Sequence, residues 1–153
     1  MPEHSQKIDP LSDEFFMKVA LDQAIEAYEK GEVPVGAIIV SKGRIIARAH
    51  NQTEQLTDVT AHAEILAMTS AFNFLGGKYL DKCKLYVTLE PCGMCAGAAM
   101  WAQLGELIFA ASDDKRGYRS INPKMIHPRT QLTHGVLKEE CRALLQQFFR
   151  EKR

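Results

Sequence analysis

One local arrangement constrains this chain more than any other. An apolar run, Leu85 to Leu89, leads into Pro91-Cys92-Gly93-Met94-Cys95 and a stretch of small residues ending at Leu104. Gly105 breaks that stretch, and a second apolar run follows from Leu107 to Ala111. Strand, helix, strand at this spacing is a βαβ unit, so the two strands are expected to be parallel with a right-handed crossover. Pro91 suits the start of the helix, where its missing N–H would be unpaired in any case. Cys92 and Cys95, three residues apart, then place both sulfurs on one side of the first turn.

The remaining pattern fits around that unit. Ser12 is placed to cap a first helix in which Phe16, Val19, Ala20, Ala24 and Ala27 recur at helical spacing, with Gly31 as its stop. Val35 to Val40 and Arg44 to Ala49, separated by Ser41-Lys42-Gly43, read as a β-hairpin, and residues 51–59 as a polar loop. Thr60 is the expected cap of a second helix reaching Leu75, stopped by Gly76-Gly77. Residues 112–130 are basic and turn-rich. A short strand, Gln131 to Val136, precedes a last helix from Lys138 with Leu137, Cys141, Leu144 and Phe148 on one face. The whole predicts an α/β fold, a mixed sheet of about five strands with helices on both faces.

At 153 residues the chain suits one domain, expected over 12–153 behind a flexible tail at 1–11. No apolar run approaches the ~20 residues of a membrane helix, and the N-terminus lacks a signal-peptide layout, so a cytoplasmic protein with no membrane partner is expected. Cys83 and Cys141 read as core residues rather than disulfide partners.

The chemistry lies in His62-Ala63-Glu64, with Cys92 30 residues after the histidine and Cys95 beyond it. One imidazole and two thiolates form a ligand set suited to Zn²⁺, and the helix start favours the thiolate form. Three ligands rather than four leave a position open to water, whose pKa zinc can lower to about 7. Glu64 can reach that water without binding the metal and carry its proton to a leaving nitrogen. Two other readings stay open on these residues. The Cys-x-x-Cys could be a redox pair, although that has no use for His62 and Glu64. The site could be a closed structural zinc with His50, His127 or His134 as a fourth ligand. The pattern H-x-E…P-C-x-x-C is, however, the signature of zinc-dependent nucleobase deaminases.

The resemblance goes further than the signature. Glu32-Val33-Pro34-Val35-Gly36-Ala37, Thr60-Ala61-His62-Ala63-Glu64, Leu85 through Cys92, Met94 through Ala98 and the ending Glu140-Cys141 to Phe148-Phe149-Arg150 resemble the bacterial tRNA-specific adenosine deaminase family. The match runs from about Phe15 to Arg150 in the family's order. It implies a three-layer α/β/α cytidine-deaminase-like fold, a homodimer, and conversion of adenosine to inosine at the wobble position of a tRNA anticodon stem-loop. It also implies one zinc per subunit with a bound water, held by His62, Cys92 and Cys95, with Glu64 as proton shuttle. By the same resemblance Asn51 bonds the flipped nucleotide, Val33 and Pro34 line its pocket, and Phe149 and Arg150 contact the anticodon loop. Gly93, where relatives carry a bulkier apolar residue, and the loop at 116–130 depart from the family pattern.

Formal charge totals zero, but residues 1–114 carry 9 Lys/Arg against 16 Asp/Glu while residues 115–153 carry 10 against 3. The basic final quarter can meet phosphates. It argues against two alternatives, a deaminase of free guanine or cytosine needing no basic tail and, with Glu64 retained, a non-catalytic zinc-stabilised RNA-binding subunit.

Overall fold

The computed structural model describes residues 11–152, so the tail expected over 1–11 lies, except for Leu11, outside the described residues. Helix α1 (Asp13–Glu29) starts where Ser12 Oγ accepts the Phe15 amide at 3.1 Å, and Asp13 and Glu14 meet its positive end. The hairpin follows as β1 (Gly36–Ser41) and β2 (Arg44–His50), then α2 (Ala63–Leu75) and β3 (Cys83–Leu89). Next come α3 (Gly93–Trp101), β4 (Glu106–Ala111), a one-turn α4 (Tyr118–Ile121), a 3₁₀ turn at Pro123–Met125, β5 (Gln131–His134) and α5 (Lys138–Glu151).

The five strands form one sheet in the order β2-β1-β3-β4-β5. The hairpin and the β1–β3 pair are antiparallel, whereas β3–β4 is parallel, as the βαβ reading requires, and β4–β5 is parallel as well. Alternation sorts the sheet's side chains into two cores. Ala37, Ile39, Leu85, Val87, Leu107 and Phe109 pack with Ala63, Ala67, Met68, Ala96 and Ala99 of α2 and α3. Ile38, Val40, Tyr86, Ile108 and Ala110 face the other way, onto Phe16, Met17 and Ala20 of α1 and Cys141 of α5. Two helical layers therefore enclose one mixed sheet. Small residues let those layers sit close. A Cβ at Gly36 would lie 2.0 Å from the Ala20 carbonyl oxygen, so α1 rests on bare β1 backbone.

Two local expectations are corrected. Thr60 does not cap α2, because its hydroxyl donates to the Asp58 carboxylate at 2.7 Å within the preceding turn, and His62 takes the cap position. On α5 the buried residues are Cys141, Leu145 and Phe148, so Leu145 replaces Leu144. Leu137 sits before the helix at φ 56° and still packs against the core that holds Cys141. Cys83 and Cys141 are buried and free, and burial pushes the Cys141 thiol up to about 12. Among the described residues no helix is long and apolar enough to cross a membrane.

Candidate active site

Two helix starts meet at the C-terminal side of β3. His62 is the cap residue of α2 and Cys92 that of α3, both with extended backbone, and neither side chain is spent on capping. Each is therefore free to point off the end of its helix. The His62 Nδ1 lies 3.6 Å from Cys92 Sγ and 3.5 Å from Cys95 Sγ. All three ligand atoms fall within 4.8 Å of one another. Among the described residues no other His, Cys, Asp or Glu joins this group. The histidines weighed as a fourth ligand are engaged elsewhere. His50 meets Gln23 and Gln52, His127 accepts the Arg129 amide, and the His134 ring stacks on Phe109.

The three side chains perturb one another's protonation. Hydrogen bonding from Cys95, then from His62, holds the Cys92 thiol down to about 4, while the same exchange with Cys92 pushes Cys95 upward. The Cys92 sulfur in turn raises His62. Two sulfurs and an imidazole nitrogen, converging without a fourth protein ligand, fit a metal ion with one side left open.

That open side is a cleft of about 330 Å³, enough for a small ligand. Glu64, in the first turn of α2, is buried on its wall, and burial pushes its carboxyl up to about 7. Asn51, just past β2, is also buried on the wall. Its Nδ2 donates to the Val33 carbonyl at 3.3 Å and its Oδ1 accepts the Thr53 amide at 3.3 Å. Those contacts orient the amide and leave one N–H and one lone pair for a ligand.

The structure brings together His62, Glu64, Cys92, Asn51, Val33 and Phe149 on this cleft, with Cys95 in the metal group beneath. It does not bring Pro34 there. Val33 and Val35 face the cleft instead, joined by a tight turn in which the Val35 amide donates to the Val33 carbonyl at 2.8 Å, and Pro34 is the residue between them. Arg150 is exposed and off the wall, one residue beyond Phe149, which reaches the cleft beside Leu145. Phe148 is buried and keeps its packing role.

Sequence reasoning missed Leu89, Glu90, Asp113 and Arg116, all of which line the cleft. Glu90 carried a usable signal: an acid at the buried end of a central strand must find partners. Its carboxylate accepts the Asp113 amide at 3.1 Å, the Arg119 amide at 3.1 Å and the Arg119 guanidinium at 3.0 Å. Burial raises its pKa, but these donors outweigh burial and hold it below the usual carboxylate range.

Comparison with known proteins agrees with this geometry. The MafB19-like deaminase family matches residues 11–153. The tRNA-specific adenosine deaminase of Aquifex aeolicus is 46% identical over 94% of this chain and 97% of its own. That of Bacillus subtilis is 44% identical over 92% of this chain and 91% of its own. A structure from work on A-to-I editing by tRNA:A34 deaminases at the wobble position of transfer RNA superposes with TM-score 0.80. It is 41% identical and covers 85% of this chain and 98% of the other. A guanine deaminase from Nitrosomonas europaea superposes with TM-score 0.77 at 26% identity, over 90% and 84% of the two chains.

Proposed function

The chain belongs to the MafB19-like deaminase family, and from that premise we propose that it deaminates adenosine to inosine at the wobble position of a tRNA anticodon. The observation that carries this is a buried Glu64 facing a cleft beside a three-ligand His62, Cys92, Cys95 group whose fourth side is open. Those three side chains would hold one Zn²⁺ per chain. When bound, it supplies a water acidified to about pKa 7.

The chain's own residues do the rest. A Glu64 carboxyl near neutrality suits both halves of the proton transfer: it accepts a proton from the attacking water and returns it to the leaving amine, which departs as ammonia. Asn51, already oriented by Val33 and Thr53, offers a donor and an acceptor to the purine edge. Val33 and Val35 form an apolar side of the cleft for the base. Phe149, half exposed at the cleft, presents an aromatic face to an unstacked base, and Arg150 beside it a cation to the anticodon loop.

We further infer one deaminase domain over 12–153 that works in the cytoplasm as a homodimer. Support for the dimer is apolar surface on neighbouring elements: Phe74 on α2, Met94 and Trp101 on α3, and Ile121 on α4 are all exposed, Trp101 at 78%. Exposed large apolar groups grouped in this way mark interaction surfaces.

Ammonia release settles the substrate when the protein is incubated separately with anticodon stem-loop RNA, guanine, cytosine and adenine. Turnover of the RNA is expected. Turnover of guanine or cytosine alone would assign a free-base deaminase instead, and no turnover of any would leave an RNA-binding subunit.

A further inference from the structure

We propose that Glu90, acting through Arg119, is the positioning residue for the cleft wall that carries Asp113 and Arg116, and so sets substrate affinity without joining the chemistry. Glu90 stands between β3 and Pro91-Cys92, with its side chain only 2% exposed. Its Oε1 accepts from the Asp113 amide and the Arg119 guanidinium, and its Oε2 from the Arg119 amide. One carboxylate thus grips both ends of the 113–119 segment. The same guanidinium nitrogen also donates to Ser112 Oγ at 3.0 Å, tying the segment back to the end of β4.

The segment has been shaped around this carboxylate. A Cβ at Gly117 would lie 2.2 Å from Glu90 Oε2 and 2.5 Å from the Asp113 carbonyl oxygen, so only glycine fits. Gly117 forms a bridge to Cys92, and the Tyr118 amide donates to the Pro91 carbonyl at 2.8 Å. The two departures from the family pattern meet here as well. Ile121 and Met125 occupy the space over Gly93, with side-chain atoms 3.1 and 3.4 Å from where its Cβ would be. The loop after β4 is therefore docked on Glu90, Cys92 and Gly93, the link from β3 into α3.

Between those anchors Asp113 folds the turn by accepting the Lys115 and Arg116 amides at 3.1 and 3.0 Å. Arg116 is left exposed on the cleft with no ion pair among the described residues, a cation suited to a nucleotide phosphate. Of the three residues in the metal group only Cys92 meets this segment, through its backbone bridge to Gly117, while His62 and Cys95 lie on other turns. Loss of the anchor should therefore loosen the substrate and spare the metal.

The kinetic part of this proposal rests on the RNA-deaminase reading; the structural part does not. The variants E90Q, G117A and R119K are to be compared with wild type in three measurements: amide hydrogen exchange at Asp113 and Arg119, zinc per chain, and kcat and KM on anticodon stem-loop RNA. For E90Q and G117A, exchange at both amides is expected to quicken about tenfold and KM to rise about tenfold or more. In E90Q, which leaves the Gly117 bridge to Cys92 unaltered, zinc is expected to stay at one per chain and kcat within about threefold of wild type. R119K, which keeps the charge but not the fork, should fall between. Arg119 is 30% exposed on its side chain, so the freed cation in E90Q can rehydrate and the chain is expected to fold. Unchanged exchange would overturn the proposal, as would a kcat that falls in step with zinc. If wild type does not turn over the RNA, the reading of the previous section fails, while exchange and zinc content still decide the role of Glu90.

Discussion

The His62–Cys92–Cys95 end of the cleft and its C-terminal rim are built from different kinds of residue. His62, Glu64, Cys92 and Cys95 sit at two helix starts, shielded by the sheet, and Glu64 and Cys95 are almost fully buried. Phe149, Arg150 and Arg116 are exposed, on α5 and on the loop after β4. Charge follows the same line, with 16 acids against 9 bases up to residue 114 and 10 bases against 3 acids after it. A buried group acts at short range in a low dielectric, so one atom decides the outcome. An exposed cation acts through a screened field, so each contributes little and the sum matters.

Substitution of Glu64 tests the first half of that contrast most severely. E64A should cost deamination about 10²–10⁴-fold or more, with zinc content unchanged by metal analysis. Undiminished ammonia release would remove Glu64 from the mechanism. Metal removal is as severe. Because the ligands tie α2 to α3, stripping zinc with a chelator should abolish turnover and also lower Tm. At metal concentrations about 100 times Kd the expected loss is about 2.7 kcal/mol. An unchanged melting temperature would mean that the two helix starts hold together without the ion.

The rim should respond in smaller steps. Deleting residues 149–153 is expected to weaken stem-loop binding about tenfold while shifting Tm by only a few degrees. Phe148 remains to pack α5, although the contact between the Tyr28 hydroxyl and Glu151 is lost. Equal affinity in the truncated chain would move the RNA surface elsewhere. Affinity should also fall with salt, log K dropping by about 0.7 per phosphate contact for each tenfold rise in salt. A flat response would leave the basic quarter without its assigned role.

The smallest expected effect concerns His50. Burial first of all lowers its pKa from 6.5, so the folded chain resists protonation. The unfolded chain binds the extra proton as pH drops below about 6.5, so stability is full above that value and declines as pH falls towards the folded pKa. H50Q should flatten the pH dependence of Tm below about 6.5. A slope unchanged in the variant would assign it to other groups.

Sequence alone determined the sheet and the residues that could hold a metal. Alternating apolar runs, the hairpin turn, the two glycine stops and the Pro-Cys-x-x-Cys helix start are local signals, and the strands and longer helices they indicate are present, whereas α4 and the 3₁₀ turn within 112–130 carried no such signal. The metal group was legible for the same reason: His62, Cys92 and Cys95 are chemically distinctive, and the βαβ unit limits where the cysteines can point. Contacts between distant segments were settled by the tertiary structure. Thr60 lost the α2 cap to a competing bond with Asp58, Leu145 displaced Leu144 once α5 docked, and Val35 rather than Pro34 met the cleft. Glu90 shows the limit most clearly. Its burial could be inferred from the end of a central strand. Its partner Arg119, 29 residues on and beyond a helix and a strand, is identified only when β4 pairs with β3 and the loop folds back over Cys92. Local propensity is written residue by residue, whereas the pairing of a buried charge depends on which segments the fold brings within 3 Å, and no pattern within either segment records that.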